Sequence, residues 1–494
     1  MPTTKFISKP NVRPNLAVFL ILLFLFIFLV VKATNQPLFW ADEGMWNYIG
    51  WLWSNGIPPY AGAFENKSPG IFYLYLFSNY FFGTTPYFVR ILAAAALSLT
   101  GYLVFDLGKR FFGLLAGAIS ILFYSYLVLS NSCGFELSKT EPFMIMFVAL
   151  AFWIYRPDIR KSAILSGLAL GIAVCFKQIA LTDMVALSIW MLASSTTIKE
   201  GVIHIGYLLI GFFLTSILVV FPVFLSGATF AQYYDSVWQS LITSRFSDTH
   251  FSGYFMQEWG RWLPLFTCSL LLIILRQGRL LFVWLMMDIA GVCASGNYFP
   301  HQFRQLIPTM ALCAGCGLSA FTNARKPMLC FGVSFVVIAA SVWVGSLYPI
   351  LPQPKKIVEA WAEMGSWIKN NTTTNDFVYA YEGASAFHTY AMRRSSSKYY
   401  NTWFTEGKES VILADLNRNT PKFIIVGRKE PEWLADYIRI NKYQAVSRLS
   451  QYRLFAKHIT NMRYPGILIN IPRLSSRPHP RQEQGGTAAQ DRWQ

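Results

Sequence analysis

The chain has 494 residues, of which 54% are hydrophobic, 17% aromatic and only 14% charged. Soluble globular proteins carry about 25% charged residues, so an ordinary soluble fold is excluded and a polytopic membrane protein is indicated. The net charge of +17 does not point to nucleic acid, because the basic residues gather in short links between apolar runs, as in the cytoplasmic loops of membrane proteins.

The first run, "LAVFLILLFLFIFLVV" (16–31), carries no charge. It is too long for a signal-peptide core and lacks a small-residue cleavage site, so it is expected to be a retained first transmembrane helix. A hydrocarbon core of roughly 30 Å needs about 20 apolar residues, and the chain supplies many such windows. The basic links "GKRFFG" (108–113), "RPDIRK" (156–161), "RQGR" (276–279) and "NARKP" (323–327) all fall on the cytoplasmic side of one arrangement. It has about eleven helices, near 15–33, 86–106, 112–130, 142–155, 162–176, 180–196, 203–226, 261–275, 280–294, 306–321 and 328–350, with the N-terminus cytoplasmic. "IFYLYLFSNYFFG" (71–83) is shorter and dense in Tyr and Phe, which suits a helix lying at the interface. Residues 34–85, "NSCGFELSKTEP" (131–142), about 227–260 and "SGNYFPHQFRQLIP" (295–308) then face outside.

After residue 351 the pattern changes. "IVEAWAEMGSWIKNN" (357–371) has helical periodicity, while "FVYAY" (377–381), "FIIVG" (423–427) and "YRLFAK" (452–457) read as strands. The expected domains are therefore a transmembrane unit over 1–350, an external α/β unit over 351–460, and a Pro/Gly-rich disordered tail over 461–494. The seven cysteines lie in or beside apolar segments. Cys313 and Cys316 form a CxxC inside a membrane helix, so neither a disulfide framework nor a zinc site follows.

Chemistry is expected on the external side. Asp42 and Glu43 open a helix, "DEGMWNYIGWLW" (42–53), where the backbone dipole favours carboxylates in any case. Trp40, Trp46, Trp51 and Trp53 suit interfacial anchors. Lys67 precedes Ser-Pro-Gly, and Arg90 lies about one turn inside a membrane helix, where a guanidinium either snorkels or binds an anion. Glu136 and Glu141 occupy the second loop, and Glu141-Pro142 opens the next helix. Lys177 ends the helix after that, and His301, Arg304 and Gln305 share the fourth loop. Carboxylates and aromatics suit a sugar, and cations near the lipid surface suit a phosphate. No GxGxxG or GxxxxGK[ST] follows a strand, so a cytosolic nucleotide-sugar donor is not indicated. No His/Asp cluster has ligand spacing. No metal site is assigned, and a divalent cation stays open as a cofactor.

These motifs, in this order, resemble the bacterial polytopic GT-C glycosyltransferases related to the protein O-mannosyltransferases and the lipid A aminoarabinose transferase. That family has an Asp-Glu start, a Y-x-x-x-F-x-x-K-x-P segment and an Arg in the next helix. This chain has "DEGMWNYIGWL" (42–52), "YAGAFENKSPG" (60–70) and "YFVRILAAA" (87–95), then "TEP" (140–142), Lys177, "FPHQFRQLIPTMALCAG" (299–315) and "SWIKNNTTTNDFVYAY" (366–381). The resemblance covers about 460 residues. One departure is Lys67-Ser68-Pro69 where many relatives have Lys-Pro-Pro.

The resemblance implies a polytopic GT-C fold with a small external α/β domain. It implies a polyprenyl-phosphate sugar donor and inverting displacement at an acceptor hydroxyl of a glycan, lipid or protein, in a bacterial plasma membrane. Asp42 would be the base, with Glu43 beside it. Lys67, Arg90, Lys177 and His301 would hold the donor phosphate, while Glu136, Glu141, Arg304 and Gln305 would orient substrates. The rival classes are a transporter or flippase of a lipid-linked sugar, which would place its charges mid-membrane and often show internal repeats, and a polysaccharide polymerase or ligase.

Overall fold

The computed structural model describes residues 16–130, 137–240, 242, 251–275, 278–296, 298–322, 326–347, 355–381, 385–428 and 430–457. Glu136 and the expected tail lie outside the described residues. Each of the eleven expected segments is a helix. Among the described residues the first nine α-helices are α1 Leu16–Thr34, α2 Ala41–Ser54, α3 Gly70–Phe82, α4 Tyr87–Phe112, α5 Leu114–Leu129, α6 Thr140–Ile154, α7 Arg160–Phe176, α8 Leu181–Ser194 and α9 Ile198–Leu225. Helices Phe251–Ile274, Arg279–Ser295, Leu306–Phe321 and Pro327–Ser346 follow. Four of these, α1, α4, α9 and Pro327–Ser346, are long and apolar enough to cross a bilayer by length and composition.

The outer helices α1, α9 and Pro327–Ser346 bury one stripe and leave the rest apolar, as a lipid solvent allows, whereas Leu306–Phe321 is buried nearly all round. On α1, Val18, Leu25, Leu29 and Ala33 are buried at helical spacing, while Leu16, Phe19, Leu20, Phe24 and Ile27 are exposed. Lipid tails give no hydrophobic drive for one apolar helix to pack on another, so close van der Waals approach through small residues matters more. α7 and α9 pack in this way. A Cβ on Gly167 would stand 2.0 Å from the Leu208 carbonyl oxygen, and one on Gly211 2.2 Å from that of Ile164.

α2 and α3 form a second layer between the bundle and the C-terminal residues. Glu43 through Gly50 are all buried. Trp46 is 1% exposed, and Trp40 packs into the same apolar cluster as Trp361 and Ile368. Trp40 and Trp46 are therefore packing residues, a correction to the anchor reading, because a second layer covers the helix that carries them.

Residues 355–457 build a four-stranded sheet in the order β1-β2-β4-β3, with β1 Phe377–Tyr381, β2 Pro421–Val426, β3 Gln444–Leu449 and β4 Tyr452–Ala456. β1 and β2 are parallel and the other pairs antiparallel. Alternation along β2 serves two cores. Phe423 and Ile425 face helix Lys355–Asn370 through Trp361, Met364 and Ile368, whereas Ile424 and Val426 meet Ile412, Leu416, Leu434 and Ile438.

This unit clamps α2. The Tyr48 ring stacks on His388 at 4.9 Å, and the Tyr48 hydroxyl accepts from the Ser395 N–H at 2.8 Å. Asn47 donates to the Thr389 hydroxyl. His388 is fully buried, and that burial pushes its imidazole down to about 3.

Candidate functional site

Asp42 and Glu43 are adjacent in the first turn of α2, so their side chains leave the helix about 100° apart. They meet opposite environments. Glu43 is fully buried. Its Oε2 accepts from the Trp40 backbone N–H at 3.1 Å, closing the start of the helix, and its Oε1 accepts from the Ser138 hydroxyl. Arg90 completes the set through Nε at 2.8 Å and Nη2. The remaining Arg90 donors reach the carbonyls of Ala33, Gln36 and Leu38. A guanidinium has five N–H donors, and here every one is engaged in protein contacts.

Asp42 stays at the open edge, its side chain 31% exposed, and pairs with Lys139 Nζ at 2.8 Å. The same ammonium lies 3.3 Å from His301 Nδ1. Lys177 pairs with Glu141, whose Oε1 is 4.0 Å from His301 Nε2. Lys67 Nζ is 3.7 Å from Glu65 and contacts Asn66. Asn66 in turn accepts from Gln178 through its carbonyl oxygen at 3.3 Å, which ties the first loop to the turn after α7. Arg304 is buried in the 3-10 helix Pro300–Gln305, close enough to Glu141 and His301 to act on both electrostatically. Three chain segments and the turn after α7 thus converge at the same end of the bundle.

The charges sort the acids. Burial pushes the Asp42 carboxyl up, but Lys139, helped by Lys67 and Lys177, wins and holds it below the usual aspartate range. Glu65, 3% exposed, is held above the usual glutamate range, chiefly by burial. His301 lies well below the usual histidine range through burial and then through Lys139, Lys177, Arg304 and Lys67. The ring is neutral, and Lys67, Lys139, Lys177 and Arg304 stand against Asp42, Glu65 and Glu141. Among the described residues the cations here outnumber the carboxylates, which favours an anionic ligand. Among the described residues no three His, Cys, Asp or Glu side chains gather to hold a metal ion.

Of the expected residues, Asp42, Lys67, Glu141, Lys177, His301 and Arg304 come together. Three do not. Glu43 and Arg90 satisfy each other away from the opening, so neither has a free donor or acceptor directed at a ligand. Gln305 turns inward, donating to Asp183 at 3.0 Å and to Thr182 at 3.1 Å. Asp183 accepts from Trp284 at 2.8 Å, and Asp288 accepts from the Thr309 hydroxyl. Glu136 lies outside the described residues. Lys139 and Glu65 are the additions. A signal existed for both: a lysine in a short loop expected to be external runs against the positive-inside bias, and Glu65 shares its loop with Lys67.

A helical bundle of this connectivity, capped by a small sheet and with its polar cluster at one end, has close structural counterparts. ArnT of Cupriavidus metallidurans bound to undecaprenyl phosphate superposes with a TM-score of 0.64 at 12% identity, over 90% of this chain and 98% of that one. The AglB oligosaccharyltransferase of Archaeoglobus fulgidus, in complex with an inhibitory peptide and a dolichol-phosphate, gives 0.52 at 11% identity over 92% and 75%. The arabinofuranosyltransferase AftD from Mycobacteria gives 0.53 at 12% identity over 90% and 40%. All three are GT-C glycosyltransferases. This chain has the GT-C fold. The sequence model of the dolichyl-phosphate-mannose-protein mannosyltransferase family matches residues 66–221, a stretch that carries Lys67, Arg90, Lys139, Glu141 and Lys177. Asp42, Glu65, His301 and Arg304 of the cluster lie outside that match. No curated protein sequence matches the chain.

Proposed function

We propose that this protein is a membrane glycosyltransferase that moves a sugar from a polyprenyl-phosphate donor to an acceptor hydroxyl on the external face, with inversion at the anomeric carbon. The observation that carries this reading is the Asp42 carboxylate, paired with Lys139 at the open edge of a cluster of cations. The lipid phosphates bound to ArnT and AglB support a lipid phosphate as a ligand of this fold.

In this reading Asp42 takes the acceptor's proton as the oxygen attacks. Lys67, Lys177 and Arg304 stabilise the departing lipid phosphate, whose charge grows in the transition state. The Glu43–Arg90 pair fixes the start of α2 and so the position of Asp42, while Glu141 holds Lys177. In this reading the chain crosses the membrane eleven times from a cytoplasmic N-terminus and the cluster lies outside, with residues 1–350 as the membrane unit and 351–460 as an external unit that seats α2. The gathering of charge at one end of the bundle favours transfer over transport.

Purified protein offered a panel of polyprenyl-phosphate sugars with envelope acceptors is expected to release polyprenyl phosphate from one of them; release from none would sink the reading. Two further results are expected. Lys67→Met removes a charge-assisted contact worth about 1.5–3 kcal/mol. Binding of polyprenyl phosphate, followed by thermal stabilisation, should therefore weaken by roughly tenfold or more, and unchanged binding would remove Lys67 from the phosphate site. The second concerns pH. Because the Asp42 pKa is depressed, the base is present above that lowered value and is lost only as pH falls through it. The acid limb of kcat/KM should then lie below the ordinary aspartate range, and Lys139→Met should move it upward.

A further inference from the structure

Asp42, Lys139 and His301 form a chain of contacts. Lys139 Nζ stands 2.8 Å from Asp42 Oδ2 and 3.3 Å from His301 Nδ1, and His301 Nε2 points to Glu141 Oε1 at 4.0 Å. An ammonium only donates. Lys139 therefore donates at both ends, His301 Nδ1 accepts, and the ring proton is on Nε2, toward the Glu141–Lys177 pair. Around the ring stand Lys139 before α6, Lys177 after α7, Lys67 from the first external loop and Arg304 on its own 3-10 helix, with Glu141 as the facing carboxylate.

This arrangement poses a problem for the proposed reaction. A base beside an ammonium is a weak base, because the cation that stabilises its carboxylate opposes its protonation. The remedy is to pass the proton on. We propose that Lys139 and His301 are a proton relay that clears Asp42 during transfer, carrying the acceptor's proton toward the phosphate-binding side of the site.

This rests on the reading of Asp42 as the base. The steps balance without a co-reactant. The acceptor oxygen bonds to the anomeric carbon as the carbon–oxygen bond to the phosphate breaks, and its electron pair leaves on the phosphate. The hydroxyl proton goes to Asp42. Lys139 gives an N–H proton to His301 Nδ1 and takes the one on Asp42. The transfer ends with a carboxylate at Asp42, an ammonium at Lys139 and an imidazolium at His301, beside a phosphate carrying one more negative charge. As the products leave, the imidazolium gives its proton to the phosphate or to water and the ring returns to neutral. The new charge on the phosphate is what makes the proton transfer to His301 favourable. At rest four cations resist a proton on the ring, and the departing phosphate reverses the balance. Proton removal is thereby tied to leaving-group departure. Lys139 and His301 act through Asp42 and are positioning and relay residues, not groups that touch the reacting atoms.

The test separates a relay from a simple counter-ion. Lys139→Arg keeps the charge and both hydrogen bonds, but a guanidinium does not give up a proton in a protein. His301→Gln keeps an acceptor for Lys139 but takes no proton. Each is expected to lower kcat by about 10²-fold or more, with the donor KM little changed. Added imidazole should restore turnover to His301→Ala. Propylamine, but not propylguanidine of equal charge, should do so for Lys139→Ala. Rescue by a small molecule also shows that the variants are folded. Wild-type kcat in Lys139→Arg or His301→Gln, or rescue of Lys139→Ala by propylguanidine as well as propylamine, would overturn the relay. Asp42→Asn, run in parallel, keeps the two ideas apart. If it is inactive while Lys139→Arg is fully active, the relay fails and the base assignment stands. If it is fully active, the base assignment fails.

Discussion

Asp42→Asn is expected to cut turnover by about 10²- to 10⁴-fold, the usual contribution of a positioned general base, while leaving donor binding intact or slightly tighter. The amide is the same size and still accepts from Lys139, so the 2.8 Å contact has a neutral replacement. It no longer takes a proton. Removing one negative charge from a site that holds a phosphate also leaves the cations freer to bind it. Kinetics at saturating donor, with binding measured separately, checks both halves. The start of α2 is not at risk, because the neighbouring Glu43 carries the contact to the Trp40 N–H.

The opposite result is expected one residue along. Arg90→Met leaves the Glu43 carboxylate buried with its charge uncompensated, along with the carbonyls of Ala33, Gln36 and Leu38. Breaking a buried ion pair on one side typically costs about 3–5 kcal/mol. The variant should show a clear fall in unfolding temperature in detergent. Glu43→Gln combined with Arg90→Met should recover part of that fall, since the amide needs no counter-charge and still accepts from the Ser138 hydroxyl. An Arg90→Met protein as stable as wild type would mean that the pair is not what fixes α2. Two adjacent acids thus separate cleanly, one expected to fail in chemistry and the other in folding.

The helices are legible because apolar length between basic links is a local property: helices stand at all eleven expected places, and four of them are long and apolar enough to cross a bilayer. β1, β2 and β4 are legible for a similar reason, as short buried apolar runs. β3, Gln444–Leu449, is not: its pattern in "QAVSRL" is weak, and it is a strand because β4 pairs with it along one edge. At the site, order along the chain brings out Asp42, Lys67, Glu141, Lys177, His301 and Arg304. What it cannot tell is which charges meet each other. Arg90 reads as an anion binder from its depth alone, yet its partner lies on α2, 47 residues earlier. Lys139 belongs with Asp42 only through folding across 97 residues. Side-chain pairing between distant segments is set by packing, and no periodicity records it.

The most direct test is to follow one labelled donor. The purified protein, placed in vesicles with a polyprenyl-phosphate sugar and a cell-envelope acceptor, should form glycosylated acceptor and free polyprenyl phosphate in equal amounts, with the anomeric configuration inverted. Movement of the intact lipid-linked sugar across the bilayer, with the sugar–phosphate bond unbroken, would contradict the assignment and establish a transporter instead.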